Sequence, residues 1–402
     1  MSNETSRLRA GRPDYAILVT ALALVVIGLI FVYSSSFAIA LSAYDDANYF
    51  LVRQTAAAVI GLAAMIFLMR FDYRHLRAFS PILMLAAVIA LFLVLFMGND
   101  AYGARRWIGL GPLPPFQPSE FAKLALIIYI SAWLASRGPT VRDFALGFVP
   151  FICLVGVVAA LILMEPDTGT AVILVMTTAA LFFLAGASIT HMGTLVAIGA
   201  VTGVILMLGG EYRSDRVFGF TSAEDDPSGL GFHVLQLLIA LGSGGVHGLG
   251  LGVSRQKFFY IPGAHTDGVF AIIGEETGFI GSMVVIALFA YLVYRGFRVA
   301  LNARDPFGHY LAMGVVCWIA FQALINIGGI TRSIPLTGIP LPFVSYGGSS
   351  LIMIMAGVGV LLNVSRYGKD KSYAEQRPVR TGRPVRPVRQ APRRVGTRPS
   401  PT

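Results

Sequence analysis

Apolar runs of about 20 residues recur along this chain and limit the folds that it can adopt. A run of this length forms a helix that crosses the hydrocarbon core of a bilayer, where every backbone polar group must be paired within the protein. Ten such runs, each bounded by Gly, Pro or charged residues, lie near 14–33, 50–69, 79–97, 118–136, 144–163, 169–186, 190–208, 269–294, 309–330 and 347–364. The sequence therefore predicts an all-α polytopic membrane protein with about ten transmembrane helices.

The stretches between the apolar runs leave no room for a soluble enzyme domain of ordinary size. Only 13% of the 402 residues are charged, whereas about 25% is usual in soluble domains. The longest stretch outside the runs, 209–268, is too short and too rich in Gly to bury a core. Its apolar piece 234–241 is too short to span and predicts a re-entrant or interfacial helix. The first run lacks a small-residue cleavage site and is interpreted as a retained span.

The distribution of Lys and Arg predicts the orientation of the spans, because short cytoplasmic loops are enriched in basic residues. With the N-terminus in the cytoplasm, the cytoplasmic segments hold 22 of the 31 basic residues and 7 of the 21 acidic ones. The opposite side then holds 9 basic and 14 acidic residues. We therefore expect both termini in the cytoplasm and a large extracytoplasmic loop, about 209–268, between the seventh and eighth helices.

The C-terminal segment from Lys369 onward is rich in Arg and Pro and almost free of large apolar residues. Such a segment cannot bury a core, so we expect a disordered tail that is attracted to anionic lipid headgroups. Docking to another protein is an alternative role, and nucleic-acid binding is not expected. The predicted organisation is a cytoplasmic N-terminus over 1–13, a transmembrane domain over 14–366 and a cytoplasmic tail over 367–402.

Ionisable residues at the external ends of the spans are candidate functional residues, because charge at membrane depth is costly. Glu120 falls in the first turn of the fourth span, and Lys123 lies three residues on, so the two side chains can pair on one helix face. An ion pair at a capped helix start is the alternative to a functional role. Arg105 and Arg106 beside Trp107 suit a phosphate or pyrophosphate ligand at the membrane interface.

Other polar or reactive residues have structural interpretations that compete with functional ones. Glu165 and Asp167 stand between the fifth and sixth spans, where Asp167 is a candidate cap of the next helix. The two cysteines, Cys153 and Cys317, lie in apolar runs and are interpreted as small buried hydrophobic residues. The loop 330–350 contains three prolines, which favour a stiff wall of a site over a moving lid.

The stretch YIPGAHTDGVFAIIGEE, residues 260–276, places Asp267 at the start of the eighth span. Asp is a common N-cap residue, so capping and catalysis are both open for Asp267. Glu275 lies eight residues further, roughly 12 Å along the helix and about 80° round its axis, and Glu276 falls on the opposite face. These carboxylates therefore cannot form one acid pair on this helix. His265 has no second His at metal-ligand spacing, so no zinc site is predicted, and Lys257 is expected to place positive charge on the external surface.

Six motifs resemble those of one protein family in order and spacing: FQPSEFAK, EPDTGTA, YRSDR, GSGGVHGLGLGVSRQKFFYIPGAHTD, AIIGEETG and PLPFVSYGGSS. The chain is thereby similar, from about residue 14 to 366, to the SEDS (shape, elongation, division, sporulation) proteins, and to their division members more than to their elongation members. The resemblance implies ten transmembrane helices and a peptidoglycan glycosyltransferase that polymerises lipid II. It also implies a class B penicillin-binding protein, which supplies the transpeptidase, and other division or elongation membrane proteins as partners.

The resemblance also implies roles for individual residues. The Asp of the HTD motif, essential in the family, corresponds to Asp267, and the Glu and Lys of the PSEFAK motif, which line a central cavity in the family, correspond to Glu120 and Lys123. The sequence departs from the family at Gly263 and Gly268, where Glu and Phe are usual. The full set of candidate residues for substrate and pyrophosphate binding is Arg105, Arg106, Glu120, Lys123, Lys257, His265 and Ser345.

The mechanistic hypothesis is an inverting transfer in which one carboxylate, Asp267, acts as general base. The leaving pyrophosphate requires positive charge, for which Arg105, Arg106 and Lys123 are candidates. A Mg²⁺ or Mn²⁺ ion is an optional contributor, although the sequence contains no dedicated metal cage, and no organic cofactor is expected. The rival hypotheses are a lipid II flippase or other transporter, and a catalytically inactive scaffold that activates a penicillin-binding protein.

Overall fold

The computed structural model of the protein describes residues 11–101, 104–109, 115–208, 230–258 and 260–368, with the backbone alone described at 99–101, 104–105, 206–208 and 230. The helices within these ranges are α1 (Tyr15–Tyr44), α2 (Tyr49–Arg70), α3 (Tyr73–Met97), α4 (Pro118–Arg137), α5 (Val149–Met164), α6 (Thr168–Leu184), α7 (Ile189–Leu208), α8 (Leu230–Ser243), α9 (Val269–Leu301), α10 (Pro306–Ile330) and α11 (Gly348–Arg366). A 3₁₀ turn, Gly138–Arg142, and a π turn, Phe144–Phe148, join α4 to α5.

The ten predicted spans coincide with α1–α7 and α9–α11, which confirms the all-α polytopic fold. Within the described residues, eight helices are long and apolar enough to cross a membrane, and α6, α7 and α8 supply shorter apolar stretches. The helix predicted in the large loop is α8. A small antiparallel hairpin, β1 (Asn99–Ala101) and β2 (Ala104–Trp107), is an addition that the apolar pattern does not predict.

Aspartates begin four of the helices, because a carboxylate can accept the backbone N–H groups that have no partner within a first helical turn. Asp14 accepts from Ala16 and Ile17, Asp72 from Arg74, Asp167 from Thr170 and Asp305 from Gly308. The capping interpretation of Asp167 is thereby confirmed.

The centre of the molecule is formed by α10 and α11. In the 18-residue apolar stretch of each helix, 72% and 83% of the residues are buried. Helix α11 packs along α2 at glycines, since a Cβ at Gly359 would lie 2.6 Å from the backbone oxygen of Met65. Small residues permit this close approach, which favours helix association inside a membrane. Helix α10 contacts α4, α6 and α9, and so it brings together elements that are far apart in sequence.

Helix α9 is broken at Gly278, where the sequence predicts one continuous span. Gly278 has φ of 69° and ψ of −165°, a backbone conformation that residues with a Cβ rarely adopt. The break divides α9 into a short half-helix, Val269–Thr277, and the longer remainder. Asp267 immediately precedes the half-helix, so this break sets the position of the candidate catalytic residue.

Candidate active site

Asp267 does not cap the helix that follows it. The N-cap position of α9 is Gly268, and no side chain bonds to the first turn there. The carboxylate of Asp267 is partly exposed and accepts a hydrogen bond of 3.0 Å from Thr266 Oγ1. Unlike the four capping aspartates, Asp267 therefore keeps acceptor capacity at the mouth of the half-helix, as a general base requires.

Glu120 and Lys123 form the ion pair that their spacing predicts. Their side chains are 2.8 Å apart, and both residues are 2% exposed. Lys123 Nζ also donates to Gln322 Oε1 at 3.2 Å and lies 5.1 Å from the ring centroid of Trp318. Trp318 Nε1 donates to the same Gln322 oxygen at 2.8 Å. The charge of Lys123 is thus balanced by a carboxylate, an amide and an aromatic face inside the helix bundle.

The pair lies beside a small, mostly apolar cavity between α4, α6 and α10. Lys123 and Trp318 line this cavity, and Thr177 and Thr178 contribute hydroxyl groups. One carboxylate oxygen of Glu120 and the hydroxyl of Thr177 are buried without a hydrogen-bond partner. These two polar groups are therefore unpaired in the protein interior, where leaving a polar atom without a hydrogen bond costs free energy.

Arg106 fastens the β hairpin to the junction between α5 and α6. Its Nε donates to the backbone oxygen of Glu165 at 2.9 Å, and its Nη2 donates to that of Pro166. Gln117, just before α4, donates to the Asp167 carboxylate at 3.2 Å. Glu165 itself is 1% exposed, and both of its carboxylate oxygens lack a hydrogen-bond partner. Burial, reinforced by the neighbouring Asp167, raises the pKa of Glu165 to about 8.

Lys257 does not place its charge on the external surface, and that prediction is wrong. The residue is 3% exposed, and its Nζ lies 2.9 Å from Glu276 Oε1 in a fully buried ion pair. It also donates to the backbone oxygen of Gly252 at 2.7 Å and to Ser34 Oγ at 3.3 Å. These partners balance the charge of Lys257 inside the protein.

His265 and Ser345, both candidate ligand-binding residues, are packed into the structure. The His265 ring is 4.4 Å from that of Phe50 and 5.5 Å from that of Tyr346. Burial lowers the pKa of His265 to about 4, so the ring is neutral near pH 7 and offers no positive charge. Ser345 is 4% exposed, and its Oγ accepts from the Leu341 backbone at 2.9 Å. It shapes the loop 331–347.

The structure gives a geometric reason for glycine at position 263, where the family usually has Glu. Its φ is 68°, and a Cβ there would lie 2.7 Å from Thr266 Oγ1 and 2.9 Å from Asp267 Oδ1. A side chain at 263 would therefore require the Thr266 hydroxyl and the Asp267 carboxylate to shift. Gly268 is less constrained, because its Cβ would first meet Ile261 at 3.1 Å.

Several predicted features fall outside the described residues. They are the Arg105 side chain, the YRSDR stretch within 209–229, and the tail from 369. In the part of the chain that is described, no cluster of three or more His, Cys, Asp or Glu residues could hold a metal ion.

Two polar residues on α10 that the motifs do not single out, Gln322 and Asn326, contact candidate site residues. Gln322 receives the bonds of Lys123 and Trp318, and Asn326 Nδ2 donates to the backbone oxygen of Asp267 at 3.0 Å. Both amides lie within an apolar run, where a polar side chain needs a buried partner. Their position in an apolar run indicates that each amide has a buried partner, but the sequence does not identify that partner.

Comparison with known proteins gives a consistent result. The model of a family described as cell cycle protein, covering FtsW, RodA and SpoVE, matches residues 15–370. The chain is 45% identical to stage V sporulation protein E of Bacillus subtilis, over 89% of this chain and 98% of that protein. It is 41% identical to a probable peptidoglycan glycosyltransferase FtsW of Geobacter metallireducens, over 88% and 95%.

Solved structures agree with these sequence relatives. A chain of a peptidoglycan synthase complex that coordinates polymerization and crosslinking superposes with a TM-score of 0.73 at 29% identity, over 88% of this chain and 98% of the other. The rod shape determining protein RodA of Thermus thermophilus superposes with a TM-score of 0.66 at 28% identity, over 91% and 98%. The ten-span fold is thus shared along almost the whole length of these proteins.

Proposed function

This chain belongs to the cell cycle protein family of FtsW, RodA and SpoVE, and from that premise we propose that it is a peptidoglycan glycosyltransferase that polymerises lipid II. Asp267 is the general base of the reaction. The observation that carries this assignment is the placement of Asp267 at the mouth of a broken helix. Its carboxylate is partly exposed and caps no helix, unlike the aspartates that begin α1, α3, α6 and α10.

The chemistry joins two lipid-linked sugars. The 4-hydroxyl oxygen of the acceptor sugar attacks the anomeric carbon of the donor, and the bond from that carbon to the pyrophosphate oxygen breaks. Asp267 takes the hydroxyl proton, and lipid pyrophosphate leaves with the bonding electron pair. One carboxylate is sufficient, because the attack inverts the configuration and needs no covalent intermediate on the protein.

Positive charge is required where the pyrophosphate leaves. Arg106 is the best-placed described candidate, since it is partly exposed at the hairpin and only two of its N–H groups are engaged in the bonds described above. Lys123 is buried in its pair with Glu120, as Lys257 is with Glu276, so we assign it no direct contact with the pyrophosphate. Arg105 would add positive charge there, and a bound Mg²⁺ or Mn²⁺ ion would supply further charge neutralisation, although the described residues contain no cluster to hold one.

The protein works in the cytoplasmic membrane as a multi-pass protein, with both termini in the cytoplasm and Asp267 on the extracytoplasmic side. Its partner is a class B penicillin-binding protein that crosslinks the new strands, within the division or elongation machinery. A similar chain is part of a peptidoglycan synthase complex, which supports this partnership. The basic tail adds attraction to anionic lipids.

The test is polymerisation of labelled lipid II by the purified full chain together with the class B penicillin-binding protein of the same organism. Asp267→Asn removes the base without changing the shape of the side chain and should lower the rate at least about 100-fold. Asp143→Asn, at an exposed cap of the opposite end, is the matched control and should retain the wild-type rate.

Each other outcome points to a different function. A folded Asp267→Asn variant that polymerises near the wild-type rate would show that Asp267 is not the base. Translocation of lipid II in liposomes without glycan formation would indicate a flippase. Neither activity from the wild-type protein, with stimulation of the penicillin-binding protein alone, would indicate a scaffold.

A further inference from the structure

The side chain of Asn326, on α10, is hydrogen-bonded to two other parts of the chain, Asp267 and the loop 331–347. The residue is 3% exposed. Its Nδ2 donates to the backbone oxygen of Asp267 at 3.0 Å and to that of Ile339, in the loop 331–347, at 2.8 Å. Both acceptors are carbonyl oxygens, so only the amide nitrogen of Asn326 can face them. The two hydrogens of that nitrogen are therefore both used.

The backbone at Asp267 needs such an anchor. Gly263, four residues before it, has φ of 68°, a conformation that residues with a Cβ rarely adopt, and a second glycine, Gly268, follows it directly. Ala271 N–H donates to Gly268 in the first turn of α9, so the carbonyl of Asp267 lies ahead of the helical hydrogen-bond ladder. Asn326 supplies the donor that this carbonyl would otherwise need.

A second amide repeats the arrangement one helical turn away. Gln322 lies four residues before Asn326, on the same face of α10, and its Nε2 donates to the backbone oxygen of Pro340 at 3.0 Å. Its Oε1 accepts from Lys123 and Trp318. The two amides thus bond to the consecutive carbonyls of Ile339 and Pro340. Through them, Asp267 and the Glu120–Lys123 pair are both connected to the same face of α10.

We propose that Asn326 is a positioning residue for Asp267, fixing the carboxylate through its backbone in the orientation that proton abstraction requires. This inference rests on the proposed function of Asp267 as general base. Displacement of a reacting group by about 1 Å costs roughly 100-fold in rate, so a lost anchor should lower turnover far more than substrate affinity.

The variant Asn326→Asp keeps the shape of the side chain and removes both amide hydrogens. In lipid II polymerisation with the class B partner present, we expect kcat to fall at least about tenfold while KM for lipid II stays within about twofold. Asn326→Ala, which removes the donors without adding charge, should behave in the same way.

Asn363 offers a matched control. It is fully buried in α11, its Nδ2 donates to the backbone oxygen of Met69 at 2.8 Å, and its Oδ1 accepts from the Tyr73 backbone at 3.0 Å. Asn363→Asp and Asn363→Ala therefore disturb a comparable buried amide far from Asp267. Thermal unfolding in detergent measures the stability of all four variants, and kcat should fall only in the Asn326 pair.

The possible results distinguish failure of the Asn326 positioning role from failure of the general-base role of Asp267. A kcat near wild type in either folded Asn326 variant, with Asp267→Asn inactive, overturns the positioning role and leaves the general base intact. An equal loss of kcat in the Asn363 variants also overturns it, since a general loss of stability then explains the effect. Activity in Asp267→Asn overturns the proposed function itself.

Discussion

At the residue scale, Glu165 has surroundings that do not suit an ionised carboxylate. It is almost fully buried at the junction of α5 and α6, and neither of its oxygens has a hydrogen-bond partner. Arg106 bonds to the backbone oxygens of this junction and not to the carboxylate. Desolvation therefore dominates, and it raises the pKa to about 8.

Replacing Glu165 by Gln should change the pH dependence of stability. In the unfolded chain a Glu loses its proton near pH 4.3, whereas the folded protein holds this proton up to about pH 8. The wild type therefore loses stability as the pH rises between these values, and the full penalty applies above pH 8. Glu165→Gln should have a higher Tm than wild type at pH 9 and a similar Tm at pH 4.5. A Tm difference that is independent of pH would contradict the raised pKa.

A side chain at Gly263 should impair catalysis through direct crowding of Asp267. In Gly263→Ala, the new Cβ would lie 2.9 Å from Asp267 Oδ1, and φ of 68° adds backbone strain of about 1 kcal/mol. We expect the polymerisation rate to fall by roughly tenfold or more. Gly252→Ala is the control, because Gly252 has φ of 79° but open space around a Cβ. Equal losses in both variants would mean that strain alone is responsible.

At the element scale, the break in α9 is stabilised by the segment 244–258. The carbonyls of Glu275 and Glu276 accept from Leu249 and Gly250 at 3.0 Å, and the N–H groups of Phe279 and Ile280 donate to Gly245 and Val246 at 2.9 and 3.2 Å. The segment thus supplies the hydrogen bonds that the interruption removes from the helix. Irregular backbone is tolerated at membrane depth only where protein groups satisfy it in this way.

The buried pair Lys257–Glu276 fastens this segment to the half-helix. Lys257→Met leaves the Glu276 carboxylate uncompensated, and removing one partner of a buried pair costs about 3–5 kcal/mol. We expect a large loss of Tm, most of which the double variant Lys257→Met/Glu276→Gln should recover. The measurement is thermal unfolding of the two single variants and the double variant in detergent. Additive losses would contradict the assigned pairing.

The helices and the helix break differ in how well the sequence predicts them. The ten spans and the short helix α8 follow from local apolar composition, because burying a run in lipid requires no particular neighbour. The break at Gly278 does not follow, since AIIGEETG also satisfies a helical pattern. A break becomes stable only where a second segment supplies donors and acceptors, and that segment lies some 30 residues earlier in the chain.

At the scale of the whole molecule, many polar contacts outside the buried Glu120–Lys123 network lie at one or the other end of the helix bundle. One end contains Asp267, Glu165, the hairpin and the loop 331–347, joined by bonds such as those from Gln117 to Asp167 and from Gln54 to Ser345. The other end contains the Asp14–Arg295 ion pair at 2.7 Å and the Asn363 bonds to the α2–α3 turn. This arrangement agrees with the expectation that the candidate residues share one side.

Cysteine labelling should assign the two ends to the two sides of the membrane. In a C153S/C317A background, Pro262→Cys near Asp267 should react with a membrane-impermeant maleimide in intact cells, because Pro262 is exposed. Arg70→Cys, exposed at the opposite end, should react only after the membrane is permeabilised. The reverse pattern would mean that the orientation expected from Lys and Arg is inverted.

The spans, the concentration of acidic residues toward one end and the family-like motifs can all be predicted from the sequence, because composition and spacing are local properties of the chain. The partners of the polar residues become apparent only in the folded protein. Ser34 meets Glu276 across 242 positions, and Asn326 meets Asp267 across 59. Likewise, the structure pairs Lys257 with Glu276 and leaves Asp267 without a helix to cap. A buried charge or amide is defined by its partner, and in a helix bundle the fold brings that partner from elsewhere in the chain.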